Sequence, residues 1–414
     1  MMNEFDQELG RRLDALRQQG LSRELRRVDS PQGTRLQIGG QSLLNLSSND
    51  YLGLANDPAL KEAAKKAVDD FGAGAGASRL ICGSLAPHHE LEEALASFKG
   101  AEAALTFSTG YATALGAICA LLDKDDLIVT DKLVHASVVD AARLCGARLR
   151  VFEHNDLNDL ENILQWADAK RAAGVSPVVS SGETPEAHSR RILIVTESVF
   201  SMDGDLAPLR EIVELKEKHG AWLMLDEAHA TGLFGQNRRG LAEAFALADR
   251  VEMQMGTLGK ALGASGGYIC GSRPLIDLLI NRARSFIFST APVPAAAAAA
   301  AAAIRLVQSD EGEARRTRLW QRVDELKNAL IGVGCPLPPV QSPILPLLVG
   351  EEGKAVALAT ALREQGIFIP AIRYPSVARG AARLRCTVTA AHTPDDIAAL
   401  QTALASSALV NRKS

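Results

Sequence analysis

Apolar residues fall into three successive patterns along the chain. Phe5, Leu9, Leu13, Leu16, Leu21 and Leu25 recur at helical spacing with Arg and Glu between them. This predicts an amphipathic N-terminal helix ending near Val28, before the turn Pro31-Gln32-Gly33. Leu36 to Leu46 then reads as a short strand or hairpin. From Ala104 to about Thr290 short apolar runs alternate with helical stretches. The runs are Ala104-Phe107, Leu127-Thr130, Leu149-Phe152, Ile192-Thr196, Trp222-Leu225, Val251-Met255 and Gly267-Cys270. Such alternation predicts an α/β fold, a mostly parallel central sheet covered by helices on both faces. Beyond Pro294 the alanine run Ala295-Ala303 predicts the start of a long helix, continued over Leu319-Ile331. Strands at Ile344-Val349, Ile367-Pro370 and Arg383-Val388 and helices at Ala355-Gln365 and from Pro394 predict a smaller α+β C-terminal domain. The expected division is a helical arm over 1–45, a large domain over 46–293 and a small domain over 294–414. The polar, Pro/Gly-rich stretch Gly174 to Arg190 reads as a surface insertion without a catalytic role.

In open α/β sheets the working groups lie beyond the C-terminal ends of the strands. Gly110-Tyr111, His135, Ser201, Asp226, His229 and Lys260 all fall at or just after such predicted ends. Lys260 sits in Gly256-Thr257-Leu258-Gly259-Lys260-Ala261-Leu262-Gly263, a segment with no other charge. Taken alone this is a Gly-rich turn with a solvated lysine. A phosphate-binding P-loop fails twice, because Gln254 stands where its first Gly belongs and Ala261 where its Ser/Thr belongs. A lysine held close to backbone and partly desolvated can instead act as a neutral amine and form a Schiff base. Asp226, ending the apolar strand, could be a cap or a ligand. Asp226, Glu227 and His229 are too few for a metal site, and Glu227 should point away where Asp226 points in.

Composition narrows the classes further. The 414 residues are 47% hydrophobic and 23% charged, with a formal net charge of −4. That balance offers no basic face for nucleic acid and no polybasic membrane patch. Cys82, Cys119, Cys145, Cys270, Cys335 and Cys386 are scattered without a C-x-x-C pair, which suits reduced thiols in a cytoplasmic protein. The start of the chain does not read as a signal peptide, and no apolar run reaches spanning length.

The combination Asp226-Glu227-Ala228-His229 with Gly256-Thr257-Leu258-Gly259-Lys260 resembles the fold-type I pyridoxal-phosphate enzymes, and within them the α-oxoamine synthases. Ser48-Asn49-Asp50-Tyr51-Leu52-Gly53-Leu54, His135-Ala136-Ser137, Val199-Phe200-Ser201-Met202-Asp203-Gly204, Phe288-Ser289-Thr290 and Ala371-Ile372-Arg373 fit the same family. These motifs run from about residue 40 to about 395, and Leu384-Arg385-Cys386-Thr387-Val388-Thr389-Ala390-Ala391-His392 is similar to the branch serving biotin synthesis. That branch joins L-alanine to an acyl thioester, pimeloyl-CoA or a pimeloyl-carrier protein, with loss of CO2. Ala77-Ser78-Arg79-Leu80-Ile81-Cys82-Gly83 also resembles a glycine-using relative, so relatives using glycine or serine stay open, as does a non-catalytic subunit on the same fold.

The resemblance implies pyridoxal 5'-phosphate as cofactor and a homodimer with shared active sites. It implies that Lys260 is the Schiff-base lysine and Cα base, and that Asp226 pairs with the pyridine nitrogen. His229 would hydrogen-bond the ring hydroxyl, His135 would stack on the ring, and Ser201 would support the hydroxyl region or the second substrate. Gly110, Tyr111 and Thr257 would hold the phosphate, with Ser289 or Thr290 from the second subunit. Arg373 would grip the amino-acid carboxylate, with Asn49 near it, and Arg26 would lie near the acyl substrate.

Overall fold

The computed structural model describes residues 3–173 and 191–407. The strands, in chain order, are β1 (Arg35–Ile38), β2 (Gln41–Asn45), β3 (Ala103–Phe107), β4 (Leu127–Asp131), β5 (Arg148–Phe152), β6 (Ile192–Glu197) and β7 (Trp222–Asp226). They continue as β8 (Met253–Thr257), β9 (Gly267–Gly271), β10 (Ile344–Gly350), β11 (Ile367–Phe368), β12 (Ala371–Ile372) and β13 (Ala382–Thr387). Seven of them form one sheet in the order β3-β9-β8-β7-β6-β4-β5. Strands β4 to β8 pair in parallel, and β9 runs antiparallel to both β8 and β3. This is the fold-type I arrangement, with the one reversed strand that "mostly parallel" leaves room for.

Every residue of β6 is buried, which a continuous apolar run between two helical layers requires. Side chains alternate: Ile192 and Ile194 enter one core, Leu193 and Val195 the other. Because β4, β6, β7 and β8 are parallel and in register, Asp131, Glu197, Asp226 and Thr257 finish along one edge of the sheet. Chemistry-bearing residues collect there for that reason.

Smaller sheets complete the fold. Strand β13 lies between β10 and β12, and the hairpin β1–β2 adds β11 in parallel through Leu44 and Ile367. The expected hairpin near Leu36 is thus tied to the C-terminal part. The alanine-rich helix Pro294–Gln308 packs on the helices Pro58–Phe71 and Ala86–Lys99, where small side chains allow close approach. It is not continuous with the next helix. Ser309 is extended and caps Asp310–Gly332 by accepting from the Gly312 amide, so two helices stand where one long helix was expected.

The N-terminal helix also differs from expectation, running from Glu4 to Gln18 and stopping before Gly20, which is left-handed at φ 67°. None of its residues is buried, and Phe5 is 68% exposed. The insertion expected over Gly174 to Arg190 lies outside the described residues. Among the described residues, no helix is long and apolar enough to cross a membrane.

Candidate active site

Asp226 closes β7 directly opposite Glu197 of β6 and Met255 of β8. One of its carboxylate oxygens accepts the Ala228 amide at 2.9 Å. Glu227 points the other way, as strand alternation requires, into a fully buried pair with Lys99, and accepts the Ala242 amide at 2.8 Å. Its carboxylate fills the place a side chain would take at Gly240, whose φ is 132°. The turn that follows brings His229 back over the strand ends.

His229 joins two segments far apart in sequence. Its Nε2 lies 2.7 Å from Lys260 Nζ, and its Nδ1 lies 2.7 Å from the hydroxyl of Tyr51. Lys260 is delivered by the Gly-rich loop after β8, folded back by bonds from the Leu258 amide to Gly266 and from the Ala264 amide to Leu258. Gly263 is indispensable there. At φ 62°, a Cβ on it would stand 2.5 Å from the backbone carbon of Leu54. That close approach seats the lysine loop against the segment carrying Asn49 and Tyr51.

Burial dominates the electrostatics. It lowers the Lys260 ammonium to about 8; Arg385 pushes the same way, while Asp226 and Glu197 oppose. Burial raises Asp226, and Lys260 with the Ala228 amide pulls it back. His229 is held well below its usual range by burial and then by the Lys260 and Arg385 charges, so its imidazole is neutral at neutral pH. Burial also lowers His135, against the charge of Asp226. Its Nδ1 meets the Ser137 hydroxyl at 2.8 Å at the start of the helix Ala136–Cys145.

An anion cradle lies at the same edge. The helix Gly110–Leu121 begins there, capped by Thr109, which accepts from the Ala112 amide. A first helical turn leaves N–H groups without intrahelical acceptors, and the helix dipole favours negative charge beside them. Thr257 stands 3.7 Å from where a Gly110 Cβ would sit, and a Cβ on Gly267 would come within 2.6 Å of the Gly110 nitrogen. Tyr111 is half-exposed and donates its hydroxyl to Asp140 at 2.9 Å. Within one chain Ser289 donates to the Thr290 carbonyl, and Thr290 bridges to Ser78. Their neighbour Phe288 is 72% exposed.

The remaining expected residues separate into two groups. Asn49 belongs with Lys260, because its Oδ1 accepts from Arg385 at 2.9 Å and Arg385 also donates to the Tyr51 hydroxyl at 3.3 Å and to the Ser201 carbonyl. Ser201 is therefore held by its backbone at the rim. Arg373 instead donates to the Ser22 carbonyl at 3.0 Å and lines a cavity with Arg23, Arg26 and Arg363. Arg26 lies over the Phe368 ring at 5.9 Å. The physical reason is strand position: Arg373 follows the short edge strand β12, whereas Arg385 lies within β13, which is buried throughout. In this structure the guanidinium hydrogen-bonded to Asn49 and Tyr51 is that of Arg385, while that of Arg373 is bonded to Ser22.

Arg385 and Glu197 are the site residues that motif reading passed over. Both carried a signal, since each is a charged residue inside or ending a strand that is buried throughout. These groups suit pyridoxal phosphate on chemical grounds. An amine poised to lose its proton, a carboxylate for a protonated ring nitrogen, a neutral imidazole and a helix N-terminus meet at one edge. Glu197 Oε1 is buried there without a hydrogen-bond partner among the described residues.

Comparison with known proteins agrees with this geometry. Residues 41–404 match the family model "Aminotransferase class I and II". The 8-amino-7-oxononanoate synthase of Geobacter sulfurreducens is 46% identical over 385 residues, 93% of this chain and 94% of that protein. That of Bacillus pumilus is 42% identical, covering 93% of each. Among solved structures, a serine palmitoyltransferase from S. paucimobilis superposes with a TM-score of 0.86 at 30% identity, covering 98% of both chains. The 8-amino-7-oxononanoate synthase of Francisella tularensis superposes with a TM-score of 0.70 at 26% identity, covering 87% of this chain and 97% of that one. The chain belongs to the aminotransferase class I and II family, in its α-oxoamine synthase branch.

Proposed function

We propose that this chain is a pyridoxal-phosphate acyltransferase that condenses L-alanine with a pimeloyl thioester, forming 8-amino-7-oxononanoate with release of CO2 and the free thiol. The observation that carries this reading is the half-buried 2.7 Å contact of Lys260 with His229, in the turn that follows Asp226. Identity of 42–46% to curated synthases over most of the chain supports the choice of substrates. Likeness to serine palmitoyltransferase at 30% identity favours a second reading, serine with a longer acyl thioester.

In this reaction a bond forms between alanine Cα and the thioester carbonyl carbon while the C–S bond breaks. The bond from Cα to the carboxylate then breaks as CO2 leaves, and a proton returns to carbon. Bound pyridoxal phosphate supplies an electron sink for the pair left on Cα. Lys260, with its proton affinity lowered by burial, removes and returns protons at Cα. With pyridoxal phosphate bound, Asp226 would keep a proton on its ring nitrogen, and neutral His229 would donate toward its ring hydroxyl. Arg385 and Asn49 grip the alanine carboxylate, a position that the geometry favours for Arg385 over Arg373. Arg26 and Arg373 then sit together where the N-terminal arm covers the small domain, a cationic place for the acyl partner.

The unit that works is a homodimer. Exposed Phe288, the exposed N-terminal helix and Ile81 at 78% exposure support a contact in which Ser289 or Thr290 reaches the partner's phosphate cradle. The test incubates the purified enzyme with pyridoxal phosphate, each of L-alanine, glycine and L-serine, and pimeloyl- or palmitoyl-CoA, reading thiol release and product mass. Product of the 8-amino-7-oxononanoate mass from alanine and pimeloyl-CoA is expected. Turnover confined to serine with palmitoyl-CoA would transfer the assignment to the second reading.

A further inference from the structure

Glu197 takes no part in the roles just described, yet its place is unusual. It ends β6 opposite Asp226, is only 3% exposed, and leaves Oε1 without a hydrogen-bond partner among the described residues. A buried carboxyl so placed is costly unless something compensates it. The groups around it are Asp226 from β7, Lys260 from the loop after β8, and the backbone N–H groups of His135 and Ser201. Behind Lys260 stand Arg385 from β13 and His229. Lys260, held against His229 in the turn that follows Asp226, is the cation whose charge favours an ionised Glu197.

We propose that Glu197 is a positioning residue that, together with Asp226, sets the proton balance of the Lys260 amine. Two carboxyls end adjacent strands in register, at the edge where the Lys260 amine meets His229, and the second cannot ionise cheaply beside the first. Burial and then Asp226 raise Glu197 to about 8, the same range into which burial brings Lys260. The two therefore titrate as a unit, each favouring the charged form of the other. A role confined to packing would need only the size and shape of the side chain, which an uncharged Gln also provides.

The inference rests on Lys260 being the cofactor lysine, but its test is read without cofactor, so the two fail separately. Full-length protein freed of pyridoxal phosphate is acetylated across the neutral-to-alkaline range, and labelling of the Lys260 peptide is followed by mass spectrometry. In Glu197→Gln the midpoint should fall by about one unit, giving roughly fivefold faster labelling at pH 7. Glu197→Asp keeps the charge and should stay within about half that shift; it decides the matter if the Gln variant does not fold. A midpoint unchanged in Gln, or moved a full unit in Asp, overturns the proposal.

Discussion

Arg385 offers the sharpest contest between sequence expectation and geometry. Replacing it with Ala removes a buried guanidinium from Asn49, Tyr51 and the Ser201 carbonyl, and leaves the alanine carboxylate without its cation. Removing one partner of a buried ion pair costs ~3–5 kcal/mol. At about 1.4 kcal/mol per tenfold, kcat/KM for L-alanine should fall roughly a hundredfold to a few thousandfold. The loss should fall on the amino acid, while the Kd of the acyl thioester measured with enzyme alone should change little. Arg385→Lys should recover only part, because an ammonium cannot reproduce the planar fork. The paired control is Arg373→Ala, expected to keep alanine kcat/KM within about tenfold, less than ~1.4 kcal/mol. Steady-state kinetics on all three variants, with melting curves to confirm folding, decide the matter. A larger alanine defect in Arg373→Ala than in Arg385→Ala would refute the reasoning and return the carboxylate to Arg373.

Further outcomes follow from other residues. Asp226→Asn should still bind pyridoxal phosphate by absorbance yet lose most exchange of the alanine Cα proton with solvent; near-normal exchange by NMR would count against its role. Mixing Lys260→Ala with a Ser289→Ala, Thr290→Ala double variant should restore partial activity through hybrid dimers, and no rescue after verified subunit exchange would remove the shared site. Burial opposes protonation of His154, but the Asp131 and Asp205 carboxylates, bonded to its two nitrogens at 3.0 and 2.8 Å, outweigh it and lift it to about 10. A raised folded-state pKa stabilises fully below the unfolded value of about 6.5, and that contribution is lost as pH rises toward 10. Melting temperature should therefore decline across that window more steeply in wild type than in His154→Asn; parallel profiles would contradict the His154 clamp.

Much of the fold was legible because β6 and β7 are unbroken apolar runs, which bury on both faces only in a parallel sheet. The site edge was legible because Asp226 and Lys260 interrupt that apolarity at strand ends. The motif at Arg373 places a residue in sequence only; its contact with Ser22 beside the edge strand β12 becomes visible only in the fold. Arg385 and Glu197 were harder to see, since their importance depends on which strands become neighbours. The break at Ser309 was hidden by the alanine run, whose high helix propensity masks a capping residue only a few positions later. The stop at Gly20 was visible as a glycine but outweighed by continuing leucine periodicity, which turned out to cover an exposed helix.

The central claim is that Lys260 is the amine that carries pyridoxal phosphate. Borohydride reduction of the holoenzyme, followed by proteolysis and mass spectrometry, tests it directly. The account predicts the reduced cofactor mass on the peptide containing Lys260, together with loss of the visible absorbance. Cofactor mass on a different lysine, with the Lys260 peptide unmodified, would contradict it.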